Sequence, residues 1–148
     1  MADEAWKDSH QFLKLSVIHW RVPGVSEEDY QNWIHKTIIP PMMRLVEKHN
    51  IVHYSVTSTP SSLHPEWNAM IAGLGRGPAW KVVDCDMIVN YWLRSSDDLK
   101  ALATDPDYPK ITATEKDFSD KDHAEIIVGY ETLYLVNGKV VNTVATDI

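Results

Sequence analysis

Asp84-Cys85-Asp86-Met87-Ile88-Val89-Asn90-Tyr91-Trp92-Leu93 is the stretch whose reading decides the fold. As a strand it turns Cys85, Met87, Val89, Tyr91 and Leu93 to one side and Asp84, Asp86, Ile88, Asn90 and Trp92 to the other, because strand side chains alternate with a period of two. The first side suits packing against helices. The second is more than half polar yet carries an indole, which fits a cavity wall better than a solvated face. Two other stretches repeat the pattern. Phe12 to Trp20 reads as a strand opposing Leu13, Leu15 and Val17 to Lys14, Ser16, Ile18 and Trp20. Ile51 to Thr59 opposes Val52, Tyr54 and Val56 to Ile51, His53, Ser55, Thr57 and Thr59.

Between these strands the period changes. Ser26 caps a helix whose first turn carries Glu27, Glu28 and Asp29, acids that complement the helix dipole. Tyr30, Trp33, Ile34, Thr37 and Ile38 follow at helical spacing, Pro40-Pro41 must kink or restart the helix, and Met42, Leu45 and Val46 carry the stripe to a stop at His49-Asn50. Pro60-Ser61-Ser62 opens a connection over residues 60–80, with a short helix from His64 to Leu74. That connection is long for a compact domain, and reads either as a lid over a pocket or as an excursion covering a sheet edge. After the central strand, Ser95 to Asp98 cap a helix through Leu99, Leu102 and Ala103. A second helical piece runs from Tyr108 to Lys116, Phe118 to Asp122 is a polar link, and Glu125 to Val136 is the fourth strand. Asn137-Gly138 signals a type I′ hairpin returning through Lys139 to Thr143.

The order strand, helix, strand, strand, helix, strand is the split β-α-β pattern of a ferredoxin-like α+β fold. It predicts a four-stranded antiparallel sheet with its helices on one face. The whole chain, 1–148, is one domain, with a polar arm at residues 1–11 and a hairpin and tail at 137–148. The half-polar second face cannot stay bare, so it is expected to pack against a second copy in a barrel-like homodimer.

The 148 residues are 44% apolar and 24% charged, ordinary for a globular protein. A net charge of −7 with scattered Lys and Arg argues against a nucleic-acid partner. No apolar run reaches the roughly 18–20 residues of a membrane span, and the acidic N-terminus is no signal peptide. The single cysteine, Cys85, points to a reducing, cytoplasmic setting. Metal and phosphate motifs are lacking. His49 and His53 straddle a predicted helix end, and Gly73-Leu74-Gly75-Arg76-Gly77 precedes a strand rather than a helix. Trp20, Trp67, Met70, Trp80 and Trp92 favour a pocket for a flat, apolar ligand.

Ile51-Val52-His53-Tyr54-Ser55-Val56, Ala101-Leu102-Ala103-Thr104-Asp105-Pro106-Asp107-Tyr108 and Tyr134-Leu135-Val136-Asn137-Gly138-Lys139-Val140-Val141-Asn142 resemble EthD-domain proteins, above all the small fungal enzymes that tailor aromatic polyketides. The resemblance spans roughly residues 12–144. It implies a dimeric α+β barrel and chemistry without metal or organic cofactor on a polyketide substrate, as decarboxylation or dehydration; some related barrels oxidise anthrones. Family members often carry a histidine two residues before the helix proline. Here Ile38 holds that place, and His35 lies nearby in a different direction.

Either lyase reaction needs an acid, a base and donors for a developing enolate. His53 and Asp86, read as neighbouring cavity-facing positions, and His35 are the catalytic candidates. Ser55, Asn90 and Tyr130 are candidates to position or polarise oxygen, and Trp20, Trp67 and Trp92 to stack on the substrate. Asp84 and Asp86, about 7 Å apart on one strand face, form a possible carboxylate pair. Decarboxylation ranks ahead of dehydration, with a cofactor-free oxygenase, a cyclase or a non-catalytic binding protein as alternatives.

Overall fold

The computed structural model describes residues 12–147; the predicted arm at residues 1–11, with His10, lies outside the described residues. Strands β1 (Leu13–Arg21), β2 (His53–Ser58), β3 (Met87–Leu93) and β4 (Ser119–Tyr130) form one antiparallel sheet in the order β2-β3-β1-β4. This is the ferredoxin-like order. Register separates the two faces. Asn90 stands opposite both Ser16 and Ser55, whereas Tyr91 stands opposite both Leu15 and Tyr54. A slip of one residue would exchange the faces, so burial of Met87, Val89, Tyr91 and Leu93 under the helices holds the pairing in place.

Helix α1 (Glu27–Asn32) starts where Ser26 Oγ accepts the Asp29 N–H at 3.0 Å. It runs without interruption through a π-helical segment (Trp33–Ile38) into α2 (Ile39–Lys48). The prolines explain the segment. Pro40 and Pro41 have no N–H and crowd the carbonyls four residues back, so the preceding turn widens and the Ile39 N–H bonds to the Ile34 carbonyl, five residues away. The predicted kink is therefore a wide turn inside a continuous helix. Asn50, at φ 60, ends it in the left-handed conformation that suits a helix stop.

Tyr30, Ile34, Met42, Leu45 and Val46 bury against the sheet together with Leu102 of α4 (Ser96–Ala103). Each such aliphatic side chain contributes about 1.5–3 kcal/mol when fully buried. Asp105 then ties α4 to α2: its carboxylate accepts from Lys48 Nζ at 2.8 Å, His49 Nε2 at 2.7 Å and the Asp107 N–H at 2.9 Å.

Several element boundaries differ from expectation. The central strand begins at Met87 rather than Asp84. The fourth begins at Ser119 and ends at Tyr130, although a polar link was expected at 118–122 and a strand to 136. The free edge of β1 needs a pairing partner, and polar residues are tolerated on an outermost strand whose side chains face water. The helical piece after Asp105 is two single turns, α5 (Tyr108–Ile111) and α6 (Glu115–Phe118). The turn forms as expected, with Asn137 and Gly138 at φ 52 and 77, the type I′ signature, but it joins two-residue strands β5 (Leu135–Val136) and β6 (Lys139–Val140) in a sheet of their own, and the return stops short of Thr143. Helix α3 (Leu63–Gly73) forms inside the long connection.

Candidate active site

The open face of the sheet carries the polar side chains singled out in the sequence. Asn90, buried there, accepts from Ser16 Oγ at 2.7 Å and donates to Ser55 Oγ at 3.2 Å and Thr57 Oγ1 at 3.1 Å. Trp92 donates its indole N–H to Glu131 Oε1 at 2.8 Å, Lys14 binds Glu131 Oε2 at 2.7 Å, and His53 meets the Trp92 ring edge-on. Burial opposes ionisation of Glu131, but the bonds from Lys14 and Trp92 outweigh it and hold the carboxyl below its usual range. Asn90, Ser55, Trp92 and His53 therefore gather on one face, as expected.

The remaining candidates do not join them, although Asp86 and His35 line one pocket of their own. His53 stands opposite Trp92, six residues from Asp86 on the same chain, or about 20 Å at strand rise, so they are not neighbours. Asp86 lies before β3 begins, and its carboxylate is engaged by Arg21, at 2.9 Å from both the Arg21 N–H and Nε. It lines a pocket of about 330 Å³ with His35, Gln31 and Thr59 instead. Asp84 is exposed and makes no pair with Asp86; its nearest ionic partner is His64 at 3.8 Å. Tyr130 stands opposite Leu13 in register, and it also lines a shallow open-face pocket with Lys14, Ser16 and Glu131. Trp20 stacks on His123 with centroids 4.1 Å apart and donates to the Asp84 carbonyl. Trp67 lies exposed on α3.

A second set of polar groups converges on the other side of the sheet. Between the sheet and the α1–α2 helix lies a cleft with a cavity of about 70 Å³, lined by the π segment and by α5 and α6. His19, Tyr54, Tyr91, Tyr108, Glu115 and Ser119 point chemistry into an otherwise apolar wall that includes Trp33, Ile34 and Met42. Burial depresses the His19 pKa below its ordinary 6.5, keeping the imidazole neutral and basic. Burial raises the Glu115 carboxyl, only partly offset by Lys121. Burial likewise pushes Tyr54 up to about 12 and raises Tyr91 and Tyr108, so these phenols stay protonated donors. The Tyr54 and Tyr91 rings meet edge-on at 5.1 Å. Among the described residues no lysine or arginine lines the cleft, and Lys121 acts on Glu115 from outside it.

Packing sets these groups. Trp33 donates to Thr114 Oγ1 at 2.9 Å and stacks on Phe118 at 5.0 Å, seating α6 and thereby Glu115. Tyr30 OH and Ser119 Oγ, both buried, share a hydrogen bond of 3.0 Å that joins α1 to the start of β4. The cavity holds less than half of the roughly 150 Å³ that admits a benzene ring, so an aromatic substrate enters only as the wall moves apart. The π segment forms part of that wall, and π turns recur at functional sites. Sequence reasoning passed over this set. The available signal was a histidine in phase with Leu13, Leu15 and Val17, and tyrosines in phase with Val56 and Val89. Among the described residues no group of three or more His, Cys, Asp and Glu side chains could hold a metal, and no helix is long and apolar enough to cross a membrane.

Residues 22–122 match the EthD domain. The chain is similar to a dehydratase, iacD, of Pestalotiopsis fici, 31% identical over 88% of this chain and 93% of the relative. It is also similar to a conidial pigment biosynthesis dehydratase of Metarhizium robertsii, 30% identical over 95% of this chain and 97% of the relative. More distant fungal relatives, 23–25% identical, carry the names dehydratase, decarboxylase and putative oxygenase. Among solved structures, a dimeric protein of ferredoxin-like fold from Bacteroides fragilis superposes with a TM-score of 0.54, at 12% identity over 82% of this chain and 97% of that one.

Proposed function

This chain belongs to the EthD domain family, and from that premise we propose that it is a lyase, a dehydratase in the first place, acting on a neutral hydroxylated aromatic polyketide in the helix–sheet cleft of a homodimer. The observation that carries the reading is the cleft's charge: burial favours neutral His19, raises the Glu115 carboxyl and keeps the phenols as donors, and no cation lines it. A carboxylate substrate would enter with no cation on the lining to pair it. Burying an unpaired charge costs several kcal/mol, so the cleft favours loss of water from an uncharged compound over loss of carbon dioxide from an acid.

In this reading His19 takes the proton from the carbon next to a carbonyl, and the C–H electron pair becomes the new carbon–carbon double bond. Glu115 protonates the departing hydroxyl, which leaves as water. Tyr108 and Tyr91 donate hydrogen bonds to the carbonyl oxygen as enolate charge develops. The proton on His19 then returns to Glu115 through solvent. The open-face set of Ser55, Asn90 and Trp92 falls to the interface between copies, where a satisfied polar network can be buried at low cost.

The test is incubation of the purified protein, with chelator present, with a β-hydroxy ketone of one or two fused rings. Loss of the mass of one water, abolished in a His19→Gln variant, is the expected result. Turnover of the matching carboxylic acid with loss of carbon dioxide, and none of the ketone, would reverse the order of the two reactions.

A further inference from the structure

We infer that the pocket holding His35 and Asp86 is an outer binding site for a neutral, hydroxyl-bearing aromatic ring, the distal ring of a substrate whose reacting ring occupies the cleft. This rests on the cleft being the reacting site, as proposed above, and adds where the rest of the substrate is held.

The pocket has the room that the cleft lacks. Its volume is about 330 Å³, roughly twice the 150 Å³ that admits a benzene ring, against about 70 Å³ for the cleft. Tyr30, Gln31 and His35 wall it from the helix, and Ser58 and Thr59 at the end of β2, with Asp86 just before β3, wall it from the sheet.

It also continues the cleft. On the helix, Gln31 and His35 flank Ile34, a cleft residue. On β2, Ser58 stands two residues beyond Val56, another cleft residue, or about 7 Å further along the same face. His19 pairs with Met87 and Met87 with Ser58, so the proposed base and the wall of the pocket lie on one row across the sheet. Two interstrand spacings separate them, about 10 Å, a distance that a substituted two-ring compound bridges and a single ring does not. Tyr30 belongs to both spaces: it lines the pocket while its hydroxyl bonds Ser119 of the cleft at 3.0 Å.

The polar groups select the ligand. Asp86 pairs with Arg21 at 2.9 Å, and Glu27, also on the lining, is held below the usual carboxylate range by hydrogen bonds from Ser61. Ser58 Oγ donates to Gln31 Oε1 at 2.7 Å, while Gln31 Nε2 reaches only the Asp86 carbonyl, at 3.5 Å. One of the two Gln31 N–H donors is therefore left for a ligand. The His35 imidazole has no partner among the described residues. Two carboxylates beside neutral donors suit phenol or alcohol hydroxyls, whose bonds to an anion are roughly twice as strong as neutral ones. A ligand carboxylate would meet like charge from Glu27 and Asp86. Tyr30 and Pro60 add flat apolar surface for a ring. His35 and Asp86 thus serve as holding groups rather than as acid and base.

The experiment is a nuclear magnetic resonance titration of the isotope-labelled full chain with a naphthalenediol carrying one hydroxyl on each ring, and with naphthoic acid as the charged control. Beside it, KM is measured for β-hydroxy ketones of one ring and of two fused rings. The diol should shift the Gln31 side-chain amide and the Thr59 and Asp86 N–H signals saturably, and the acid should bind about tenfold more weakly or less. Ser58→Trp fills the pocket from an exposed position and should weaken diol binding about tenfold. His35→Ala removes one exposed imidazole and should weaken it about threefold. Both variants should raise KM for the two-ring ketone several-fold more than KM for the one-ring ketone. Should Ser58→Trp fail to fold by circular dichroism, His35→Ala carries the comparison alone. Diol shifts confined to cleft residues, or a KM ratio unmoved in the folded variants, overturns the outer site and leaves the dehydratase reading standing. Naphthoic acid binding as tightly as the diol overturns the ligand class. A wild type that turns over neither ketone, with the diol still shifting Gln31, overturns the dehydratase reading and leaves the pocket as a site for hydroxylated rings.

Discussion

Replacing His19 by glutamine keeps a polar side chain of similar reach in the cleft and removes its basicity. General-base removal costs about 10²–10⁴ in rate, or roughly 3–5 kcal/mol of barrier. The dependence on pH is the sharper readout. Burial holds His19 below 6.5, so the base is free at every pH above that lowered value and activity falls only on the acid side of 6.5. Burial holds Glu115 above 4.5, so its acid form persists beyond the usual carboxylate range and is lost as pH rises through the raised value. Activity should therefore follow a bell, falling on the acid side as His19 protonates below 6.5 and on the alkaline side as Glu115 ionises above 4.5. Initial rates of dehydration between pH 4 and 8, for wild type, His19→Gln and Glu115→Gln, decide the matter. The glutamine at 115 should remove the alkaline limb and the glutamine at 19 the acid one. A wild type active on a plateau through neutral pH, or a His19→Gln enzyme within a few-fold of wild type, would refute this assignment. A plateau ending only in the tyrosine range would pass the acid's role to Tyr108.

Stability responds to three other contacts. Tyr30→Phe removes a fully buried hydroxyl and leaves Ser119 with only a 3.4 Å contact to the Trp20 carbonyl, so chemical denaturation should show a loss of about 1–2 kcal/mol. Leu102→Ala empties a site only 1% exposed in the core and should cost about 2–5 kcal/mol by the same measurement. Asp105, whose carboxyl is held well below 3.8 by Lys48, the Asp107 N–H and His49, stabilises the fold above that pH and loses the contribution as pH falls through its folded value. Asp105→Asn should therefore lower the melting temperature at neutral pH and flatten its decline in acid.

The candidate site divides along the line between local and tertiary information. The open-face cluster was legible because Ser16, Ser55, Asn90 and Trp92 share one strand phase, and phase is local. The pairing of His53 with Asp86 failed because it assumed adjacent strands start level; the register instead sets His53 against Trp92. The connection at residues 60–80 read as a lid or an edge cover, and periodicity cannot choose between the two.

From the sequence alone came the element order, the helix cap at Ser26, the hairpin at Asn137-Gly138, the ferredoxin-like sheet and the family. Each rests on periodicity, turn chemistry or motif order, which act over a few residues at a time. The tertiary structure decided which side of the sheet holds the convergent acids and bases. His19 comes from β1, Tyr54 from β2, Tyr91 from β3, Tyr108 from α5 and Glu115 from α6, so no local pattern joins them. What brings them together is shared burial, which lowers the pKa of the histidine and raises those of the carboxyl and the phenols, and burial belongs to the packed chain.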